Sequence, residues 1–130
     1  MQKSSHLWRL IVALLAGFSL VSAAACSGDS GSTESTTINV AMSILIDVRS
    51  PEEFAAGHIE GAINLDYESG TLEAELSTLD KNAVYMVYCH SGRRSALATT
   101  LMTEAGFTDV IDLGGIDAAA ISTDLPIITD

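Results

Sequence analysis

The chain has 130 residues, enough for one domain, and carries 17 acidic against six basic side chains, a net charge of −11. So acidic a balance argues against nucleic acid and anionic lipid headgroups as electrostatic partners, and it makes the adjacent pair Arg93-Arg94 conspicuous. Three Phe, three Tyr and one Trp give no stacking platform for bases.

Residues 1–25 read as a signal peptide. Lys3 and Arg9 form a basic start, residues 10–21 an apolar core, and Ser22-Ala23-Ala24-Ala25 a small-residue cleavage zone. That core is shorter than the ~20 residues a membrane span needs, although an uncleaved signal anchor is the plain alternative. Cleavage would leave four basic against 17 acidic residues, a net charge of −13. Cys26 follows directly, and residues 27–37 are mostly Ser, Thr and Gly, a composition suited to a flexible tether. This arrangement resembles a bacterial lipoprotein leader, with Ala23-Ala24-Ala25-Cys26 as its lipobox, although Ala23 stands where leucine is usual. The resemblance implies lipidation at Cys26 and an extracytoplasmic domain over residues 38–130, anchored to the cell membrane. Simple secretion with Cys26 as a free thiol is the alternative. A disulfide between Cys26 and Cys89 is allowed by count, but the two contexts have nothing in common.

Further along, Ile44-Leu45-Ile46 predicts a short buried strand ending in Asp47-Val48-Arg49. Ser50-Pro51-Glu52-Glu53 then marks a helix start: Ser50 suits the N-cap, Pro51 the first helical position, and Glu53 completes a capping box. Gly57 stops this brief helix, residues 58–61 form a turn with His58 structural, and residues 62–65 a second strand. Leu72, Leu76 and Leu79 predict one helix face ending near residue 80. Residues 84–88 predict a buried strand, and Leu97, Leu101 and Ala105 recur at helical spacing, with Gly106 as the stop. A last strand spans residues 110–113, broken by Gly114-Gly115, and the tail carries few signals. Strands alternating with helices predict an α/β domain with a mainly parallel sheet, whose ligands sit beyond the carboxyl ends of strands.

Cys89 occupies that position. It sits between the apolar strand and a helix whose first N–H groups lack intrahelical partners and, with the helix dipole, favour an anion. Two arginines follow within five residues, so this thiol should ionise more readily than a free cysteine, whose pKa is about 8.5. Gly92 lets the loop curl, Ser91 and Ser95 offer further donors, and an arginine fork suits an oxyanion. The alternative for Cys89 is an inert interior cysteine. His90 reads as a loop residue, because Cys-His with no second pair is poor zinc spacing.

Three blocks together resemble the rhodanese family: Asp47-Val48-Arg49-Ser50-Pro51-Glu52-Glu53-Phe54, then Gly57-His58-Ile59-Glu60-Gly61-Ala62-Ile63-Asn64, then Cys89-His90-Ser91-Gly92-Arg93-Arg94-Ser95. The resemblance implies a single-domain sulfurtransferase in which Cys89 takes sulfane sulfur from a donor such as thiosulfate, holds it as a persulfide and passes it to cyanide or a thiol. It needs no cofactor and no metal. The third block implies a substrate loop of His90, Ser91, Gly92, Arg93, Arg94 and Ser95, with Arg94 at the family's arginine position. Arg49 either lines the crevice or pairs with Asp47 to fix the strand end. Two departures stand out. Only residues 38–43 stand between the tether and the first strand, so the sheet is expected to lack an edge strand and helix, and although residues 113–118 resemble the family's closing block, the tryptophan expected after them is absent.

Two other functions compete. Cysteine phosphatases and arsenate reductases resemble rhodaneses in fold but place arginine six residues after the cysteine; here that residue is Ser95 and Arg94 is the fifth. A non-catalytic module that carries a persulfide or binds a partner shares every motif above.

Overall fold

The structure, a computed structural model, describes residues 39–129. The expected leader, the lipidation site Cys26 and the tether all lie outside the described residues. After a 3-10 turn at Val40–Met42 the elements are β1 (Ser43–Asp47), α1 (Pro51–Ala56), β2 (His58–Ile59), β3 (Ile63–Asn64), α2 (Thr71–Glu75), β4 (Val84–Cys89), α3 (Arg93–Glu104), β5 (Asp109–Gly115), α4 (Ile116–Thr123) and β6 (Ile127–Ile128).

Four strands form a parallel sheet in the order β3-β1-β4-β5. The register pairs Ile44 with Tyr85 and Asp47 with Tyr88, so the carboxyl ends of β1 and β4 share one edge of the sheet. Successive strand side chains point to opposite faces, and the core divides accordingly. Ile46, Tyr85, Val87 and Cys89 pack with Leu72, Leu76, Ala98, Met102 and Phe107. Leu45, Met86 and Tyr88 pack with Ile59, Leu113, Ile116 and Ala119. This is the helix-flanked parallel sheet expected from alternating strands and helices. Ahead of β1 the described residues hold only the 3-10 turn, and the two-residue β3 forms one edge. α4 packs without the absent tryptophan, burying Ile116, Ala119 and Thr123.

The helix start at Ser50 forms as read. Ser50 Oγ accepts from the Glu53 N–H, Glu53 Oε2 accepts from the Ser50 N–H, both at 3.3 Å, and Pro51 opens the helix. Three expectations are corrected. Residues 58–61 are not simply a turn: His58 and Ile59 form β2, paired antiparallel with β6 in the tail that showed few signals. The Leu72–Leu79 stripe does not make one helix. α2 ends at Glu75, where the chain tightens, with the Leu76 and Thr78 N–H groups donating only three residues back.

The helix read from Leu97, Leu101 and Ala105 forms as α3; it buries Ser95, Ala98 and Met102, with Leu101 and Ala105 packed at the margin of the core and Leu97 43% exposed. The helix lies against β4 and β5, and small side chains at the close contacts let it approach. Finally, Gly114-Gly115 does not break the last strand. The register slips from Val87–Asp112 to Tyr88–Gly114, a bulge accommodated by Gly114 at φ +76°, and β5 runs on to Gly115.

Candidate active site

Cys89 ends β4 and the chain curls through His90, Ser91 and Gly92 into the first turn of α3. Gly92, the N-cap, takes φ +97°, a left-handed conformation natural to glycine. The curl returns the Gly92 N–H to Cys89 Sγ, to which it donates at 3.0 Å. Ser95 Oγ lies 3.7 Å from the same sulfur and donates toward the carbonyls of Gly92 at 3.0 Å and Gly114 at 3.3 Å. The thiol is free and buried. Burial pushes its pKa up, but the N–H and hydroxyl of Ser95 and the N–H groups of Gly92 and Ser91 outweigh that push, and the value falls below the ordinary thiol range. An inert interior cysteine would shift upward. Curled backbone donors around a sulfur form an anion-binding nest.

The loop rests on the end of β5. A Cβ placed on Gly115 would lie 2.8 Å from the His90 carbonyl oxygen, and one on Gly92 would lie 3.4 Å from Gly114 Cα. In the sequence Gly115 reads as a strand breaker and as part of the 113–118 block; its close approach to His90 depends on a register visible only once the strands pair.

The arginines separate into distinct roles. Arg94, 13% exposed, donates through Nη1 to Glu53 Oε2 at 2.7 Å and through Nη2 to Glu53 Oε1 at 2.9 Å, a forked pair. Its Nη1 also reaches Glu68 Oε2 at 3.4 Å. The hydrogen bond to Glu53 raises the Arg94 pKa, and the reciprocal bond pulls the Glu53 carboxyl down to about 2. Cys89 also contributes to the field holding Arg94 charged. Arg93 is 71% exposed and meets Glu68 Oε1 at 3.3 Å. His90 and Ser91 are exposed on the loop, whereas Ser95 is fully buried.

Of the two readings for Arg49, its contacts describe the one that fixes the strand end. Its head group bonds both Asp47 carboxylate oxygens, at distances down to 2.6 Å, and the Gly57 carbonyl at 2.6 Å, while 5% of the residue is exposed. Asn64 Nδ2 donates to the carbonyls of both Asp47 and Arg49. Desolvation lowers the Arg49 pKa, but the Asp47 bond and charge leave it raised. Its guanidinium is committed to Asp47 and the Gly57 carbonyl. Glu53, assigned from sequence to capping alone, also grips Arg94; no local signal links residues 41 positions apart. Among the described residues no group of three or more His, Cys, Asp or Glu side chains is placed to hold a metal ion.

A family model described as a rhodanese-like domain matches residues 33–120, a span containing β4, the Cys89 loop and α3. This chain belongs to the rhodanese family. Among related rhodanese proteins, thiosulfate sulfurtransferase PspE of Escherichia coli strain K12 is 37% identical over 76 residues, covering 58% of this chain and 73% of that protein. The chloroplastic thiosulfate sulfurtransferase 16 of Arabidopsis thaliana is 39% identical over 108 residues, 71% of this chain and 90% of the relative. A solved rhodanese with anions from E. coli superposes with a TM-score of 0.60 at 33% identity, covering 68% of this chain and 99% of that one. The single-domain rhodanese form therefore fits, and the chain is a rhodanese-type sulfurtransferase at the level of the family.

Proposed function

We propose that this protein moves sulfane sulfur from thiosulfate to cyanide or a thiol through a persulfide on Cys89. The observation that carries the reading is the Cys89 sulfur gathered by loop N–H groups at the amino end of α3, with its pKa held low despite burial. The Cys89 thiolate attacks the outer sulfur of thiosulfate; the S–S bond of the donor breaks and sulfite departs with the electron pair. The new persulfide anion lies where the Gly92 and Ser91 N–H groups and the α3 dipole stabilise negative charge. Cyanide then attacks the outer persulfide sulfur, thiocyanate leaves, and the thiolate is restored. Each step is one nucleophilic displacement at sulfur, so neither a redox cofactor nor a metal enters the balance. His90, Ser91 and Arg93, exposed at the loop, line the approach, and Arg94 holds positive charge beside the thiolate.

The test is cyanide-dependent thiocyanate release from thiosulfate by the full chain, with Cys89→Ser as control. Turnover lost in the variant supports the enzyme. A Cys89 persulfide detected by mass spectrometry without turnover would replace it with the carrier reading, and neither product would end both. We further propose that the domain works outside the cytoplasm on a lipid anchor at Cys26, supported by the small residues before that cysteine and the polar stretch after it. The mass of protein extracted from membranes of the producing cell tests this: a diacylglyceryl-modified Cys26 supports it, and a cleaved free thiol overturns it.

A further inference from the structure

Both loop arginines are already engaged by carboxylates, but the two carboxylates differ in hold. Glu53 grips Arg94 through two bonds of 2.7 and 2.9 Å and is 34% exposed at its side chain. Glu68 touches each arginine once, at 3.3 Å to Arg93 and 3.4 Å to Arg94, and is 56% exposed. Its backbone N–H donates to Asp66 Oδ1 at 2.9 Å, which fixes the turn independently of its side chain. An exposed, long, single contact is weak and easily displaced, whereas a forked, shielded one persists. The carboxylate of Glu68 thus bridges the nitrogens that an incoming oxyanion would use.

We propose that Glu68 is a specificity-determining residue, an internal carboxylate that competes with anionic sulfur donors for Arg93 and Arg94 and sets the charge of substrate the site accepts. With Glu53 neutralising Arg94 and Glu68 spanning both guanidiniums, the two positive charges are matched by two negative ones. A dianionic donor such as thiosulfate must displace the Glu68 side chain and is repelled by it afterwards; a donor of lower charge meets less opposition. This rests on the sulfurtransferase reading, and its test includes a measurement that does not.

In the full-length protein, Glu68→Gln is compared with Glu104→Gln, which removes the same charge at the far end of α3, about 16 Å along the helix. Cys89 alkylation is followed by peptide-resolved mass spectrometry with iodoacetate, an anion, and iodoacetamide, its neutral counterpart. Glu68→Gln is expected to raise the iodoacetate-to-iodoacetamide rate ratio about two- to fivefold at low salt, the range an exposed ion pair supports, and to lower the thiosulfate KM by a similar factor. The Glu104→Gln ratio should match wild type. An unchanged ratio in Glu68→Gln, or an equal rise in both variants, overturns the proposal. A raised ratio with no thiosulfate turnover in any variant leaves the charge filter standing and removes the thiosulfate reading instead.

Discussion

Gly115→Ala tests whether the geometry of the sulfur loop, rather than its composition, sets the reactivity of Cys89. Gly115 has φ −78°, a backbone conformation alanine adopts freely, so the substitution introduces no dihedral strain. Its effect is purely steric. The new methyl would sit 2.8 Å from the His90 carbonyl oxygen and 3.4 Å from Ser91 Cα, whereas ordinary contact begins at 3.4 Å. Both contacts are backbone, so no flexible side chain can swing aside. The loop must retreat by roughly 0.5 Å, about the tolerance within which catalytic groups work. That retreat moves the Ser91 and Gly92 N–H groups off the sulfur and removes donors that hold the thiol pKa down. Overpacking costs about 1–3 kcal/mol of stability, and a misplaced reacting group about tenfold or more in kcat/KM. Cys89 should therefore ionise at higher pH, read from the pH dependence of iodoacetamide alkylation, with thiocyanate production reduced in parallel. As a control, Leu76→Ala on the same core should cost about 2–5 kcal/mol yet leave the thiol pKa in place. A Gly115→Ala protein with wild-type ionisation and turnover would refute the reasoning.

The remaining predictions concern the charges around the loop. The Glu53 carboxyl is pulled to about 2, chiefly by Arg94, so its folded pKa lies below its unfolded value of about 4.3. Its contribution is full above the unfolded pKa and is lost as pH falls through about 2; with solvent screening it is of order 1 kcal/mol. Denaturation midpoints of wild type and Glu53→Gln should converge between pH 5 and 2, and a constant gap would contradict the assignment. Asp47→Ala strands a buried guanidinium and should cost about 3–5 kcal/mol in urea unfolding; a loss under about 1 kcal/mol would show the pair to be dispensable. Arg49→Lys keeps the charge but not the fork, so it should lower stability while leaving the thiosulfate KM near wild type. A large rise in KM would return Arg49 to the substrate site.

The parts of this protein written in short stretches could be read directly. The buried strand ahead of Cys89, the curl at Gly92 and the capping box at Ser50 each involve neighbours within a few positions, and each formed. What escaped reading depends on pairing across the chain. β2 and β6 contribute two residues each, too few for a periodicity of 2 to register, and they meet only after the sheet has brought residue 128 back to residue 58. The bulge at Gly114 follows from the β4 register rather than from the glycine pair itself. On α3 the spacing of Leu97, Leu101 and Ala105 marks the helix, but which of its positions are fully buried, Ser95, Ala98 and Met102, follows from its packing against the sheet. The second role of Glu53 belongs to the same class: capping is local, while its grip on Arg94 is a tertiary fact.

The central claim is that backbone N–H donors of the loop and the first turn of α3 hold the Cys89 sulfur as an anion. The most direct measurement is the pH profile of Cys89 alkylation by iodoacetamide in the full chain, resolved by peptide so that Cys26 does not contribute. Ionisation of Cys89 at a midpoint below that of a free cysteine, about 8.5, is the predicted result. A midpoint at or above that value, or a sulfur that does not react below denaturing conditions, would contradict the account.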